Sequence, residues 1–424
     1  MSLLLKNGTL VSHSGRAKAN LFAAGGKIVS ITASEPAADE VIDAEGLLVL
    51  PGIIDPHVHF RQPGMDSEDW AGGSRAAAAG GVTTVLDMPN TRPPATTAAL
   101  LAEKERLVAS QSPCVNYGFH FGATEDNAGE YAGVGLSASG GGERLAASVK
   151  VFMGSSTGSL LVQREEALAG ILREARLVTV HAEDEAVIRE NASRGTHEER
   201  RPKVAALSAI AKLRRHASRP SVYVCHLTAW EEAALAGPFW KEATPHHLFL
   251  NSSLMGKIGD YAKVNPPLRG EADRQSLWRA LGEGLIDAIG SDHAPHLKGA
   301  KESQSPPSGV PGVGTTLPLM LDASNRGLVA LERVVALMSR NPAEIFGLRG
   351  KGSLQAGADA DITVIDMARE RKVRSEDLHY RCGWTPFEGL VLKGWPVITI
   401  VGGSVAYRDG AHHPARGSRV TYAP

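Results

Sequence analysis

The sequence predicts an α/β protein in which a (β/α)8 TIM-like barrel is joined to a small β-sandwich domain formed by the N- and C-terminal segments. The middle of the chain alternates short, almost wholly apolar runs with Ala-rich stretches, which is typical of parallel strands covered by helices. Eight such units follow one another over roughly 290 residues, as a closed barrel requires. Both ends of the chain instead contain short strand-like runs separated by Gly, Asp and Pro.

The two terminal segments predict one composite β domain. Strand-like runs occur early in the chain and again near its end, at Leu3–Leu5, Lys27–Ile31, Leu47–Leu50, Asp361–Val364, Val391–Lys393 and Thr399–Val405. We therefore expect residues 1–50 and 350–424 to assemble into this domain. Residues 51–349 are then expected to form the catalytic barrel.

Within the barrel, strands are expected at eight apolar runs, namely residues 52–58, 82–87, 115–121, 147–152, 177–182, 221–226, 241–244 and 285–291. Helical patterns between the strands cover residues 67–79, 95–109, 164–176, 203–217 and 271–283. The polar segment 298–312 follows the last strand, so it belongs to the catalytic face of the barrel. A flap over the substrate and a passive loop are equally compatible with its composition.

The overall composition excludes several classes of protein. The 424 residues include 45 Lys plus Arg and 46 Asp plus Glu, so a formal charge of −1 provides no basic field for nucleic acid or an anionic membrane. No stretch approaches the roughly 20 apolar residues of a membrane helix, and the first residues lack the basic region of a signal peptide. Three scattered cysteines argue against a disulfide framework. A soluble, cytoplasmic protein is therefore expected.

The first barrel strand ends in a pair of histidines. His57 and His59 lie two residues apart, so on a strand they face the same way, at the C-terminal end where barrel enzymes build their active sites. Two imidazoles aimed at one point suit a divalent metal such as Zn²⁺. Taken alone, the pair is equally compatible with a polar loop.

Four further residues occupy comparable positions on other strands. Lys150 is flanked by apolar residues on the fourth strand, where a buried lysine is costly unless it is paired, neutralised or chemically altered. His181, His226 and Asp292 end the fifth, sixth and eighth strands. Each alone is more often a structural residue, but together with the histidine pair they predict one metal site at the barrel mouth.

These residues resemble the metal ligands of the amidohydrolase superfamily, and the chain is similar to the dihydroorotase family within it. The order of the histidine pair, the strand-four lysine, two further histidines and an aspartate is that of the superfamily. Similar stretches extend over nearly the whole chain: PGIIDPHVHFRQPG (51–64), AAAAGGVTTVLDMPNT (76–91), VKVFMGSSTG (149–158), VHAEDE (180–185), ATPHHL (243–248), KVNPPLR (263–269), SDHAPH (291–296), NPAEIFGL (341–348), KGSLQAGADADITVID (351–366) and LKGWPVITIVGGSV (392–405).

The resemblance implies a site for two zinc ions. His57 and His59 would hold the first ion together with Asp292, and His181 and His226 would hold the second. Lys150 would be N6-carboxylated by CO2 and would bridge the two ions as a carbamate. Such a modification would explain a buried lysine among the ligands of a cation, because it replaces the ammonium by an anion.

The resemblance also implies a reaction, the reversible cyclisation of N-carbamoyl-L-aspartate to (S)-dihydroorotate in pyrimidine (UMP) biosynthesis. A hydroxide held between the two zinc ions would be the nucleophile, since coordination lowers the pKa of water. Asp292 would act as the general acid and base, taking the proton and passing it to the ring nitrogen.

Substrate recognition is expected to depend on Arg61. It follows the histidine pair by two residues and so projects toward the same mouth, where a guanidinium suits the ring carboxylate of dihydroorotate. By resemblance, the other substrate-binding residues are His59, Asn90, Asn265, His296, Ser308 and Gly309. Gln62 departs from the acidic residue that the family commonly has there, and we expect it to tune the loop.

Three residues near these motifs are expected to lie outside the site. Strand alternation is taken to point Cys225 away from the mouth and into the core. His197 and His216 are expected to be exposed.

Two alternatives to a dihydroorotase stay open. A hydantoinase or allantoinase would keep the metal site, but its substrate would offer Arg61 no carboxylate. An inactive structural partner of aspartate carbamoyltransferase belongs to a different class, and such proteins lose metal ligands, whereas all six are present here. The resemblance further implies a homodimer and, in some family members, association with aspartate carbamoyltransferase.

Overall fold

A computed structural model describes residues 1–140, 142–156, 159–217 and 221–424. Two residues of the family-like stretch 149–158, Thr157 and Gly158, therefore lie outside the described residues. Seven short strands open the chain: β1 (Ser2–Lys6), β2 (Thr9–Ser12), β3 (Gly15–Lys18), β4 (Asn20–Ala24), β5 (Lys27–Thr32), β6 (Glu40–Asp43) and β7 (Leu48–Pro51).

The predicted barrel follows. Its strands are β8 (Ile53–Val58), β9 (Val82–Asp87), β10 (Asn116–Phe119), β11 (Phe121–Gly122), β12 (Val149–Phe152), β13 (Val178–His181), β14 (Val222–Val224), β15 (Trp240–Ala243) and β16 (Ala288–Ile289). Every expected strand is present, including the short seventh one, and the third is divided into β10 and β11 on either side of His120. All neighbouring pairs are parallel. The barrel closes where the His59 amide donates to the His293 carbonyl at 2.8 Å.

Helices cover the outside of the barrel, and all five expected ones are present. The helices are α1 (Trp70–Ala79), α2 (Ala98–Ser110), α3 (Glu165–Glu174), α4 (Glu185–Glu190), α5 (His197–Arg200), α6 (Lys203–His216), α7 (Trp230–Ala236), α8 (Pro245–Phe249), α9 (Met255–Ile258), α10 (Glu271–Gly282), α11 (Lys298–Lys301), α12 (Thr316–Asn325), α13 (Leu331–Val335) and α14 (Asn341–Phe346). Two of the expected helices have side-chain N-caps. Asp69 accepts a hydrogen bond from a backbone amide in the first turn of α1, and Thr97 does the same for α2. Within the described ranges, no helix is both long and apolar enough to cross a membrane.

The ends of the chain form the expected β sandwich. The final strands are β17 (Ile362–Lys372), β18 (Val391–Val401), β19 (Ser404–Arg408) and β20 (Ala411–His412). They join β7, β2 and β3 in a seven-stranded sheet, while β5, β4, β1 and β6 form a second sheet. Leu3, Leu5 and Ile42 from the second sheet pack with Val364 and Ile400 of the first in one buried cluster. The boundaries at residues 50 and 350 stay a prediction.

The interior of the barrel holds both apolar and polar side chains. Leu177 and Tyr223 lie in a buried apolar cluster with Phe346 of α14. Polar contacts follow along the strands, where His120 lies 2.8 Å from the Ser148 hydroxyl and Ser148 lies 2.6 Å from that of Thr179. Residues two apart on a strand lie on the same face. Since Ser148 lies on the inner face, Lys150 also lies inside the barrel.

The last residues of the chain leave the sandwich and pair with the barrel. The Tyr117 amide donates to the Ser418 carbonyl at 3.0 Å, and the Val420 amide donates to the Tyr117 carbonyl at 2.8 Å. Tyr422 joins the apolar cluster that contains Leu177 and Tyr223. Residues 417–422 therefore help to close the barrel, although they follow the final sandwich strand.

A buried ion pair connects helix α2 with the end of strand β9, next to the site. The Lys104 ammonium on α2 lies 2.5 Å from the Asp87 carboxylate at the end of β9 and donates to the Met88 carbonyl at 2.7 Å. The other Asp87 oxygen accepts the Phe60 amide at 2.7 Å. This pair fixes the backbone immediately before Arg61.

Replacing Lys104 by Met should therefore destabilise the protein strongly. The variant keeps the aliphatic stem but leaves Asp87 buried without its partner, and breaking a buried pair in this way costs about 3–5 kcal/mol. Urea-induced unfolding followed by circular dichroism measures the loss. Arg106→Met, an exposed change on the same helix, is the control and should stay within about 0.5 kcal/mol of the wild type. Equal stability of the two variants would contradict the role given to the pair.

Candidate metal centre and active site

The structure brings the four predicted histidines and Asp292 together at the mouth of the barrel. The Nε2 atoms of His57 and His59 lie 3.2 and 3.1 Å from the same Asp292 oxygen. On the other side, Nδ1 of His181 lies 3.1 Å from Nε2 of His226. The His57 and His226 rings connect the two halves, with centroids 5.5 Å apart. All five residues are buried.

Three of the histidine rings have a hydrogen-bond partner on the ring nitrogen that faces away from the site. Nδ1 of His57 lies 2.8 Å from the Glu242 carboxylate, and Nδ1 of His59 lies 2.8 Å from the Asn90 side-chain oxygen. Nε2 of His181 lies 2.8 Å from the Glu183 carboxylate. An acceptor on one ring nitrogen fixes the tautomer and leaves the lone pair of the other nitrogen facing the site, as a metal ligand requires.

Burial keeps the imidazoles neutral. It lowers the pKa of His57 to about 3, and it holds the pKa values of His59 and His226 well below their usual range. Neutral imidazole is the form that binds a metal ion. The buried Nδ1 of His226 has no hydrogen-bond partner in the part of the chain that the structure describes.

The residues present fit a metal ion. Ligand atoms of His57, His59 and Asp292 lie within 4.8 Å of one another, and so do those of His57, Cys225 and His226. Nitrogen and carboxylate donors at this spacing suit a divalent transition metal such as Zn²⁺. The geometry therefore fits a metal ion beside His57, His59, His226 and Asp292, and the full set of six ligands stays a prediction.

Three residues of the site adopt a left-handed backbone conformation, which residues other than glycine rarely adopt. The φ angles are +67° at Arg61, +40° at His226 and +46° at Asp292. Such conformations cost about 1–3 kcal/mol each and persist only where the surrounding structure imposes them. In each case the turn directs a side chain back toward the barrel mouth.

Cys225 packs in a buried apolar cluster as expected, but the expectation that it points away from the mouth is wrong. Its sulfur lies 3.1 Å from the Lys150 ammonium, inside the barrel. Tyr223 and Cys225 share the inner face of β14 by alternation, and it is the left-handed φ of His226 that returns the next side chain to the same side. Burial raises the pKa of the Cys225 thiol, so it stays protonated and is a poor metal ligand.

Lys150 lies where the sequence predicts, wholly buried within the barrel. Besides the Cys225 sulfur, it contacts the Phe152 ring, 4.9 Å from the ammonium to the ring centroid. It makes no ion pair with any of the carboxylates that the structure describes. A buried, unpaired ammonium is energetically costly.

Arg61 and His296 form one wall of the mouth, as expected. The Arg61 guanidinium donates to the Pro295 carbonyl at 3.2 Å and lies 3.2 Å from Nε2 of His296. The same His296 nitrogen lies 3.1 Å from the Ser308 carbonyl. Gly309 has a φ of +138°, and a Cβ there would meet the Ala294 carbonyl at 2.5 Å, so the turn depends on glycine.

Asn265 lies in a different part of the mouth. Its side-chain oxygen lies 3.0 Å from Nε2 of His197, which also lies 2.8 Å from the Val264 carbonyl. The expectation that His197 is exposed is wrong, because the ring is partly buried against this segment and burial lowers its pKa to about 4. His216 is exposed as expected.

Sequence reasoning missed the carboxylates behind the ligands. Glu183 follows His181 by two residues, the same spacing that joins His57 and His59, and this signal could have identified it. Glu242 lies within the short strand β15 without a recognisable motif around it. Arg201 contacts Glu183 at 2.5 Å and gives that buried carboxylate an ion-pair partner.

A barrel with this order of histidine, lysine and aspartate at its strand ends defines a class of hydrolases that are generally metal-dependent. The chain belongs to the amidohydrolase family, which it matches over residues 48–406.

Within that class, the relatives that are similar in sequence are named dihydroorotase. Proteins named dihydroorotase include one from Halobacterium salinarum, 40% identical over 377 residues that cover 85% of this chain and 86% of the relative. One from Methanosarcina acetivorans is 37% identical and covers 97% and 94% of the two chains.

Similar solved structures are named for related ring hydrolases. L-hydantoinase from Arthrobacter aurescens has a TM-score of 0.90 at 29% identity, with 99% of each chain covered. Dihydropyrimidinase from Brevibacillus agri has a TM-score of 0.87 at 27% identity, with both chains covered completely. The overall fold is thus shared by enzymes named for different rings.

We expect Glu242→Gln to weaken metal binding about tenfold. The amide oxygen can still accept a hydrogen bond from His57, but it is a weaker acceptor than the carboxyl group and strengthens the imidazole less as a ligand. Competition between metal-stripped protein and a chromophoric chelator for Zn²⁺ measures the change.

Tyr223→Phe is the matched control for this experiment. It removes the hydrogen bond to the other Glu242 oxygen, 2.8 Å long, and leaves the contact with His57 in place. Its effect on Zn²⁺ affinity should be smaller. Unchanged affinity in Glu242→Gln would show that the carboxylate does not orient the ligand.

Proposed function

We propose that this chain is a zinc-dependent dihydroorotase, which interconverts N-carbamoyl-L-aspartate and (S)-dihydroorotate in pyrimidine biosynthesis. The observation that carries the proposal is the buried Arg61 guanidinium beside the metal ligands. Dihydroorotate has a ring carboxylate for this cation to bind, whereas hydantoin and allantoin have none. The relatives named dihydroorotase support the same choice.

Arg61 is prepared for an anionic ligand. Its side chain is only 2% exposed, and it makes no ion pair with a described carboxylate. Burial lowers its pKa to about 10, so it still carries its charge at neutral pH. A buried cation without an anionic partner is costly, and a substrate carboxylate bound through two hydrogen bonds would relieve that cost.

The remaining expected contacts surround this cation. We assign His59, Asn90 and His296 to the side of the ring that bears the carboxylate, and Asn265, Ser308 and Gly309 to the rest of the ring. The hydrogen bond between His59 and Asn90 and the contact between Arg61 and His296 support the first group.

The proposed metal site uses the six residues expected from the sequence. His57, His59, His181, His226 and Asp292 would hold two zinc ions, with Lys150 as a carboxylated bridge. When bound, zinc would polarise the amide carbonyl and lower the pKa of a water molecule. Carboxylation would also remove the unpaired ammonium from the barrel interior, which supports this state of Lys150.

Asp292 is the proposed proton carrier. In ring opening, an oxygen from water forms a bond to the carbonyl carbon and the ring C–N bond breaks. The Asp292 carboxylate accepts the proton released by the water and returns it to the departing nitrogen, so the charges balance. Ring closure follows the same steps in reverse. The left-handed backbone of Asp292 directs its carboxylate toward the two Nε2 atoms where this transfer would occur.

A hydantoinase is the second candidate, and the structural similarity to hydantoinases favours it. It requires the same metal site but gives Arg61 no ligand. The convergence of the proposed ligands argues against an inactive structural partner. A homodimer, association with aspartate carbamoyltransferase and a cytoplasmic location stay predictions.

Arg61→Met should lower kcat/KM for dihydroorotate by about 100-fold, because truncating one partner of a buried charge pair costs several kcal/mol. Turnover of hydantoin and allantoin, assayed side by side with zinc content measured, should not fall in parallel. Preference of the wild-type protein for a ring without a carboxylate would contradict the dihydroorotase proposal and leave the hydrolase standing. Metal-free, inactive protein would instead favour the structural partner.

Lys150→Ala should abolish activity, and a short carboxylate such as propionate should restore part of it by occupying the space of the carbamate. Nuclear magnetic resonance of protein grown with carbon-13-labelled bicarbonate should show a carbamate signal in the wild type and none in Lys150→Ala. Lys298→Met, which alters an exposed lysine, should keep the signal. A wild-type protein that binds zinc without this signal would contradict the carboxylated bridge.

A further inference from the structure

Lys301 is a second buried lysine near the mouth, and neither the metal site nor the reaction uses it. It ends the short helix α11 and is 2% exposed. Its ammonium donates to three backbone carbonyls, those of Lys263 at 3.2 Å, Pro307 at 3.0 Å and Gly309 at 3.1 Å. The three N–H donors of an ammonium match these three acceptors.

The three carbonyls belong to the two segments proposed to contact the substrate ring. Lys263 precedes Asn265 by two residues, and Pro307 and Gly309 lie on either side of Ser308. Two further bonds join the segments, from the Gly309 amide to the Lys263 carbonyl at 2.9 Å and from the Lys263 ammonium to the Pro306 carbonyl at 2.7 Å. Lys301 therefore lies at the centre of a junction between chain segments about 40 residues apart.

The junction reaches the carboxylate-binding wall. The Ser308 carbonyl lies 3.1 Å from Nε2 of His296, which contacts Arg61. The Lys301 ammonium also lies 5.6 Å from the centre of the Trp384 ring, whose Nε1 donates to the His296 carbonyl at 2.7 Å. A shift of residues 307–309 would thus displace both the ring contacts and His296.

We propose that Lys301 is a positioning residue for substrate binding, which holds residues 263–265 and 307–309 in the relative position that grips the ring. This inference rests on the proposed function and deepens it. It also assigns segment 298–312 as part of a fixed binding wall, with α11 supplying the cation that anchors it. The hydrogen bonds of the Lys301 ammonium go to these segments and to none of the proposed metal ligands.

Lys301→Met tests the proposal because it keeps the stem and removes the three donors. KM for the cyclic amide that the wild type turns over should rise at least about tenfold, while kcat stays within about threefold and zinc content is unchanged. This separation is expected because the junction touches bound substrate and leaves the reacting groups in place. An unchanged KM, or a fall in kcat without a rise in KM, would overturn the proposal.

Two matched lysine variants complete the series. Lys298→Met changes an exposed residue of the same helix and should leave both constants unaltered. Lys263→Met removes only the bond to Pro306, so KM should rise by a smaller factor, again at constant kcat. If Lys301→Met does not fold, Lys263→Met decides the matter, and an unchanged KM there would overturn the proposal.

The same assays separate this inference from the proposed function. Wild-type turnover of dihydroorotate, hydantoin and allantoin tests the choice of substrate. The lysine series is then measured on whichever ring is turned over. Failure of the dihydroorotase proposal therefore leaves the effect of Lys301 measurable.

Discussion

The active site depends on one constraint, that neutral imidazole rings must each direct a chosen nitrogen toward a common point. The carboxylates of Glu242 and Glu183 and the amide of Asn90 meet this constraint from behind the rings. Burying a carboxylate is costly unless its oxygens accept hydrogen bonds. Glu242 accordingly accepts from the Tyr223 hydroxyl at 2.8 Å and from the His226 amide at 3.0 Å. The polar layer inside the barrel is thus the support that the ligand ring requires.

The fold and the ligand positions follow from local pattern, because strand alternation and strand ends are properties of neighbouring residues. The spacing of His57 and His59 is such a property, and so is the inward direction of Lys150. The inward direction of the His226 side chain is not a local property, because its left-handed φ is imposed by the packed structure. The same turn explains why the expected direction of Cys225 is wrong. Contacts between distant segments are also invisible in one sequence: His197 reaches Asn265 across 68 positions.

Residues from the C-terminal sandwich segment support the mouth of the barrel. Trp384 donates to the His296 carbonyl, and the Tyr380 hydroxyl accepts the Gly314 amide at 2.9 Å. The Arg381 guanidinium lies 2.9 Å from the Asp69 carboxylate that caps α1. The catalytic face is therefore built from loops of the barrel and stabilised by a segment that follows it in the chain. This arrangement explains why loops rich in Pro and Gly at the barrel mouth can hold a defined shape.

The pairing of residues 417–422 with the barrel sets an order of events during synthesis. The Ser418 amide donates to the Asn116 side chain, a contact that spans 302 positions. At a translation rate of 5–20 residues per second, the ribosome makes the second partner about 15–60 s after the first. During that interval the base of the barrel near β10 lacks its final strand-like segment and Tyr422. A nascent chain would thus expose this part of its apolar interior until residues 417–422 have been made.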